Sequence, residues 1–289
     1  MKPPGKNITV VFLMFMPYGF DKFRTFIDSY TRHPAGVRHG LVILFKQAGD
    51  KATLDRCRQL LGDLNISYTP LYFDQGLDID AYRFAAQRTS SDLFFFLNTN
   101  SVLLGGNWLL HMYAAMTRDN AGMVSATGSW QSYRETPFVH HPLQYEKDKG
   151  LAVNFRKYKL FIKALIYYPF LFKSFPNPHL RTNAFMIRRD VFLAIRYKPL
   201  TSKFRAYQCE SGRNSVTSQV IKQGYGVYVV DRNGQVYEPQ KWPESRTFWI
   251  DNQENLLVED NQTRQYATGD NTAKRLYSRL AWHRPPAGN

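Results

Sequence analysis

The sequence predicts an α/β protein with a mostly parallel central sheet flanked by helices. Three observations carry this. Short apolar runs rich in β-branched and aromatic residues recur through the first hundred residues, too continuous for a sheet with one wet face. The stretches between them place apolar residues three and four apart, the helical period. Pro, Gly and Asp punctuate the short connections, so strands and helices alternate, and such alternation closes into a parallel sheet with right-handed crossovers.

The elements follow in order. Ile8 to Met16 (ITVVFLMFM) is the first strand, ended by Pro17 and Gly19. Asp21 opens a helix with Phe23, Phe26, Ile27 and Tyr30 on one face. Leu41–Phe45 is a second strand, Thr53–Leu64 a second helix, Ser67–Phe73 a third strand, Ala81–Arg88 a third helix and Asp92–Leu97 a fourth strand. Trp108–Met116 reads as helix, Gly122–Ala126 and Asn183–Arg188 as strands, with a helical turn from Asp190. A short helix is expected at Ser211–Asn214 and another at Ser215–Gln223, ended by Gly224 before a strand at Val227–Val230. The last forty residues read as polar, with Trp242, Trp249, Tyr266, Tyr277 and Trp282 as scattered anchors and 284–289 as a loose tail.

The 289 residues carry 38 Lys and Arg against 23 Asp and Glu, a net charge of +15. The excess is uneven: about +3 over 1–150, +5 over 151–175 and +7 over 176–289. Charge so divided disfavours a uniformly basic nucleic-acid binder, no nucleic-acid motif is present, and an anionic ligand or surface met by the second half is expected instead. Two cysteines, Cys57 and Cys209, make neither a disulfide framework nor a four-thiolate zinc site and fit a reducing compartment. No run reaches the roughly 18 apolar residues of a spanning helix, and the opening residues lack a secretory signal. A cytoplasmic location, peripheral on the inner face of the plasma membrane, is therefore expected.

In open α/β sheets ligands bind beyond the carboxyl ends of the strands. The loops Pro17–Asp21, Lys46–Asp50, Asp74–Asp80 and Asn98–Ser101 become candidates. None is a glycine-rich phosphate cradle, which argues against P-loop and ordinary dinucleotide enzymes. His140, His141 and His179 lack metal-ligand spacing and read as surface or loop histidines.

The segment Gly76-Leu-Asp-Ile-Asp-Ala-Tyr-Arg83, the strand Leu93–Leu97 ending in Asn98-Thr99-Asn100, the following Leu104-Gly-Gly-Asn-Trp108, the stretch Leu180-Arg-Thr-Asn183-Ala-Phe-Met-Ile-Arg188-Arg189-Asp190-Val-Phe and Gln208-Cys209-Glu210-Ser211 together resemble GT-A glycosyltransferases, above all the inverting family 2. The resemblance covers roughly residues 7–231. It implies a catalytic domain over 1–231, with a nucleotide-sugar half at 7–110 and an acceptor half at 111–231, and an extension at 232–289 packed on it. It also implies a UDP- or GDP-sugar donor and a glycan or lipid-linked acceptor, as in bacterial cell-surface polysaccharide synthesis. Together with the crevice loops, it places Pro17, Lys46, Asp74, Arg83, Asn98, Thr99 and Asn100 on the donor side. Arg181, Asn183 and Arg213 fall near acceptor or phosphate, and Glu210 falls where the family has its catalytic base.

Each residue also has an ordinary reading: Glu210 as a first-turn glutamate in the helix dipole, Asp74 as a turn former, and Asn98 and Asn100 as strand-ending polar residues. Asn98-Thr99-Asn100 stands where the family has D-x-D, the carboxylates beside its Mg²⁺ or Mn²⁺. Asparagine offers a carbonyl oxygen without charge. Three outcomes stay open: metal-free transfer with cations neutralising the diphosphate, metal held through the donor phosphates, or an inactive binding module.

Residues 151–175 contain no acid. Arg156, Lys159 and Lys163 share one helical face, with Tyr158, Phe161, Ile162 and Leu165 opposite, the pattern of a basic amphipathic helix on an anionic membrane. An ordinary helix packed on the sheet fits the same spacing.

Overall fold

The computed structural model describes residues 7–134, 162 and 165–283. Arg156, Lys159 and Lys163, most of the basic segment and the 284–289 tail lie outside the described residues. Strands β1 (Ile8–Phe15), β2 (Gly40–Lys46), β3 (Thr69–Tyr72) and β4 (Leu93–Leu97) are parallel neighbours, crossed over by α1 (Phe20–Arg32), α2 (Lys51–Asp63) and α3 (Asp78–Arg88). Then come β5 (Val102–Leu103), α4 (Trp108–Met116), β6 (Ala121–Ser125), β7 (Gly128–Ser129), β8 (His179–Leu180), β9 (Ala184–Arg188), α5 (Arg189–Ala194), α6 (Lys203–Ser211), α7 (Val216–Lys222), β10 (Gly226–Val230) and β11 (Val236–Tyr237). The chain continues through β12 (Val258–Glu259), α8 (Asn261–Ala267) and α9 (Asn271–Trp282). The central sheet has eight strands in the order β11-β10-β6-β9-β4-β1-β2-β3. The expected α/β class, with a mostly parallel sheet between helices, is what the chain adopts.

The apolar runs are continuous because both sheet faces are covered. Along β1, Val10, Phe12 and Met14 pack with Phe23, Phe26 and Trp108 of α1 and α4. Val11 and Leu13 point the other way, toward Tyr82, Ala85 and Ala86 of α3. In β4, Phe95 joins the first core and Phe94 and Phe96 the second. Pro70 is tolerated in β3 because that strand is an edge.

Two features of the second half matter for the site. β9 runs antiparallel between β4 and β6, with Ala184 opposite Leu97. Its entry, Thr182–Asn183, therefore lies at the carboxyl end of β4. The last forty residues also hold two helices where scattered anchors were expected. Trp242, Trp249, Tyr266 and Trp282 are buried in the same core as Phe96 and Leu180. β12 pairs antiparallel with β5, just after Asn98–Asn100.

Candidate functional site

The carboxyl ends of β1, β2, β3 and β4 share one edge, and hydrogen bonds tie them together. Thr99 Oγ1 accepts from Phe15 N at 2.8 Å and donates to Leu13 O at 2.7 Å, locking β4's exit to β1's. Asp74 Oδ1 accepts from Gln47 N at 2.8 Å, joining the loops after β2 and β3. Asn98 N donates to Asn183 O at 3.1 Å, joining the β4 exit to the β9 entry. Pro17 lies exposed in a 3-10 turn after β1. The edge thus brings together Pro17, Lys46, Asp74, Asn98, Thr99, Asn100 and Asn183.

Glu210 reaches the same edge from α6. It sits in the last turn of that helix, not ahead of one at Ser211–Asn214. A helix carboxyl end is electrically the wrong place for a negative charge, so first-turn stabilisation does not explain it. Thr182 does: Glu210 Oε2 accepts from Thr182 N at 2.9 Å and from Thr182 Oγ1 at 2.6 Å. Oε1 accepts nothing among the described residues.

Lys46 is buried, and its Nζ donates to Gly76 O at 2.6 Å. Burial lowers its pKa, opposed by the charges of Asp78 and Asp80. Gly76 is needed there: its φ is +61°, and a Cβ would come within 2.1 Å of Asp80 Oδ2. Asp78 was given no role by the sequence, although it lies within electrostatic reach of both Lys46 and Glu210. It stays open to solvent, yet the protein walls around its carboxyl push its pKa up, opposed by Lys46 and helped by Glu210. Two aspartates following a glycine at a helix start were the available signal, but first-turn acids are common on dipole grounds alone.

Other sequence candidates are committed elsewhere. Arg83 donates to Ile195 O at 2.7 Å and Leu193 O at 2.8 Å, clamping α3 to the end of α5. With Gly76, Asp80 and Tyr197 it lines a cavity of about 660 Å³, within the range of small-molecule sites. Arg181 is buried against the Phe248 ring and pairs with Asp260 at 3.3 Å. That pairing holds the guanidinium that the sequence places near acceptor or phosphate. Asn183 is buried, accepting from Thr127 Oγ1 at 3.2 Å, while its Nδ2 has no partner among the described residues. Arg213 Nε donates to Pro169 O at 3.0 Å. His179, expected on a surface or loop, is buried in β8, with Nδ1 2.8 Å from Asn177 O. Burial lowers its pKa, opposed by Glu210 and reinforced by Arg181. The extension supplies a cation the sequence did not suggest: Arg264 donates to Asn100 O at 3.0 Å and to Glu259 at 2.5 Å.

The donor set does not fit a divalent metal held by the protein. Asn98 Oδ1 already accepts from Asn100 N at 3.0 Å and Ser101 Oγ at 3.2 Å, which turns the carbonyl into the loop. No three His, Cys, Asp or Glu side chains converge on a metal position among the described residues.

The class defined by fold and site is an α/β protein with a polar crevice at the carboxyl edge of its sheet. No family model matches the chain, and no curated protein matches it in sequence. Among solved structures, the chain is similar to mannosyltransferase PcManGT from Pyrobaculum calidifontis in complex with GDP-Man and Mn²⁺. The identity is 10% and the TM-score 0.47, over 83% of this chain and 60% of that one. It is also similar to glucosyl-3-phosphoglycerate synthase from Mycobacterium tuberculosis in complex with Mn²⁺, UDP and phosphoglyceric acid. There the identity is 14% and the TM-score 0.39, over 68% of this chain and 60% of that one. This chain therefore matches about three fifths of the length of each.

Proposed function

We propose that the chain is a GT-A-type glycosyltransferase that moves a sugar from a UDP- or GDP-sugar to a hydroxyl of a glycan or lipid-linked acceptor in cell-surface polysaccharide synthesis. One observation carries the reading: Glu210, oriented by two donors of Thr182 and with Oε1 unengaged among the described residues, is held by the residue next to Asn183 at the crevice edge that also holds Asn98–Asn100. In this reading Oε1 takes the proton of the acceptor hydroxyl as its oxygen attacks the anomeric carbon. The bond from that carbon to the diphosphate oxygen breaks, and the electron pair leaves with the nucleoside diphosphate. A single displacement of this kind inverts the anomeric centre. The metal-free variant is favoured by the poor metal donor set at Asn98. Lys46, bonded to Gly76 O, and Arg264, bonded to Asn100 O, are cations at the crevice loops, and no helix among the described residues is long and apolar enough to cross a membrane.

The test is turnover over a panel of nucleotide sugars, with and without EDTA. Glu210→Gln should lower kcat by about 10²–10⁴, the usual worth of a general base, while the folded state is retained. Activity equal to wild type in Glu210→Gln overturns the assignment. A second reading, a non-catalytic sugar-nucleotide-binding module, is supported by the Asn98 carbonyl being consumed within its own turn. Saturable stabilisation by a nucleotide sugar with no turnover of any donor selects it.

A further inference from the structure

Four cations surround a small cavity that the transfer chemistry leaves unused. The cavity, about 280 Å³, lies among α6, the loop after α5 and the turn Gly212–Asn214. Its lining includes Arg196, Lys198, Arg205 and Arg213 and, among the described residues, no carboxylate. None of the four forms an ion pair among the described residues. Among the described residues Arg213 uses Nε on Pro169 O and leaves its terminal nitrogens unbonded, and the other three side chains make no hydrogen bond. Gln208 and Asn214 add neutral donors. The Cys209 thiol is pushed up to about 12 by burial and by the charges of Glu210 and Asp80, so it brings no negative charge.

Like charges gathered around a concavity without an internal counterion raise the local potential and attract an anion from outside. Arginine suits phosphate, since its planar fork can bind two oxygens at once. A cavity of about 280 Å³ is large enough for a compact anionic group such as a phosphoryl or pyrophosphoryl. Cys209 and Gly212 line the cavity on either side of Glu210 in sequence. The rim is apolar on one side: Phe170 lines the cavity and is 77% exposed, and Leu165, Ile166 and Tyr167 on the same helical stretch are also exposed.

We propose that this cavity is an anion subsite that holds a phosphoryl or pyrophosphoryl group of the acceptor, with any apolar chain of that acceptor running along residues 165–170. The word acceptor rests on the glycosyl-transfer reading; anion capture by the cavity does not.

Inorganic pyrophosphate is the probe, titrated calorimetrically against wild type, Arg196→Gln/Arg205→Gln and Glu210→Gln. The expected result is saturable binding to wild type and to Glu210→Gln, at least 10-fold weaker in the double variant and weakened further by salt. The double variant should melt no lower than wild type, because it removes mutual repulsion. Pyrophosphate affinity unchanged in a folded double variant, or no saturable binding to wild type, overturns the proposal. A vesicle arm identifies the source of the phosphoryl group. Binding to phosphatidylglycerol vesicles but not phosphatidylcholine vesicles, lost in the double variant and reduced by Phe170→Ser, indicates a lipid headgroup. Pyrophosphate binding without vesicle binding indicates a soluble phosphorylated acceptor. Failure of glycosyl transfer itself shows separately, as turnover insensitive to Glu210→Gln.

Discussion

Thr182 spends both its N–H and its hydroxyl on one carboxylate oxygen of Glu210, and that doubling can be tested at a single side chain. Thr182→Val keeps shape and the N–H but removes the hydroxyl donor, a charge-assisted bond of about 1.5–3 kcal/mol. Thr182→Ser restores it. The expected outcome is a roughly 10-fold or larger drop in kcat for Thr182→Val and near-wild-type kcat for Thr182→Ser, measured with the donor found by the panel. Equal activity in both would show that orientation of Glu210 does not depend on that hydroxyl. At this scale the sequence was a mixed guide. Glu210 was visible as a candidate, but its holder was not, because residues 28 positions apart meet only through β9's reversal. Thr99 and Asn98 were placed at the crevice, yet their side chains also knit strands β1 and β4 and close the turn. A polar residue at a strand end looks the same in sequence whether it faces ligand or backbone.

Among the elements, those with strong periodicity were legible and those stabilised from outside were not. β1, β2 and β4 announce themselves because both faces are dry, and α4 was read with its observed limits. The antiparallel course of β9 was hidden, since an apolar run buried on both faces carries no mark of direction. α6 carries no helical signature in the sequence because Lys203–Ser211 buries only Cys209 and Ser211 and so lacks an apolar stripe. α8 was missed because its anchor is a capping residue: Asp260 accepts from Gln262 N and Thr263 N, and the same carboxylate faces buried Arg181. Asp260→Ala therefore removes a helix cap, worth about 0.5–2 kcal/mol, and strands a buried guanidinium, worth about 3–5 kcal/mol. The two losses share one residue, so their sum is an upper bound. Urea denaturation should show a loss of at least about 3 kcal/mol, and a loss below about 1 kcal/mol would mean that Arg181 finds water or another partner. The loop before α3 offers a second element-scale test. Gly76→Ala forces a Cβ toward Asp80 at a positive φ and should displace the carbonyl that Lys46 holds. Donor binding should weaken more than global stability if that loop frames the donor. An equal fractional effect on both argues for a purely structural loop.

For the whole molecule, pH links the buried site to stability. His179 and His39 are both held with lowered pKa values, each by burial first. His179 faces Glu210, which favours its protonation, and Arg181, which opposes it; His39 lies against Val37 O and the Tyr30 hydroxyl. A histidine whose folded pKa lies below its unfolded value near 6.5 refuses a proton that the unfolded chain accepts. Its full stabilising contribution is therefore present above about pH 6.5, and it declines as pH falls below that value toward the folded pKa. One proton costs at most about 1.4 kcal/mol per pH unit over that window. Carboxylates act in a lower window: Asp190, pulled below the usual range by hydrogen bonds from Arg188, loses its contribution only as pH falls from the ordinary aspartate value near 4. The two windows separate cleanly between pH 7.5 and 5. Unfolding free energy should fall over that interval in wild type, and the fall should shrink in His179→Gln and shrink further when His39→Gln is added. A fall of unchanged size in the double variant would show that the acid sensitivity does not come from these two rings.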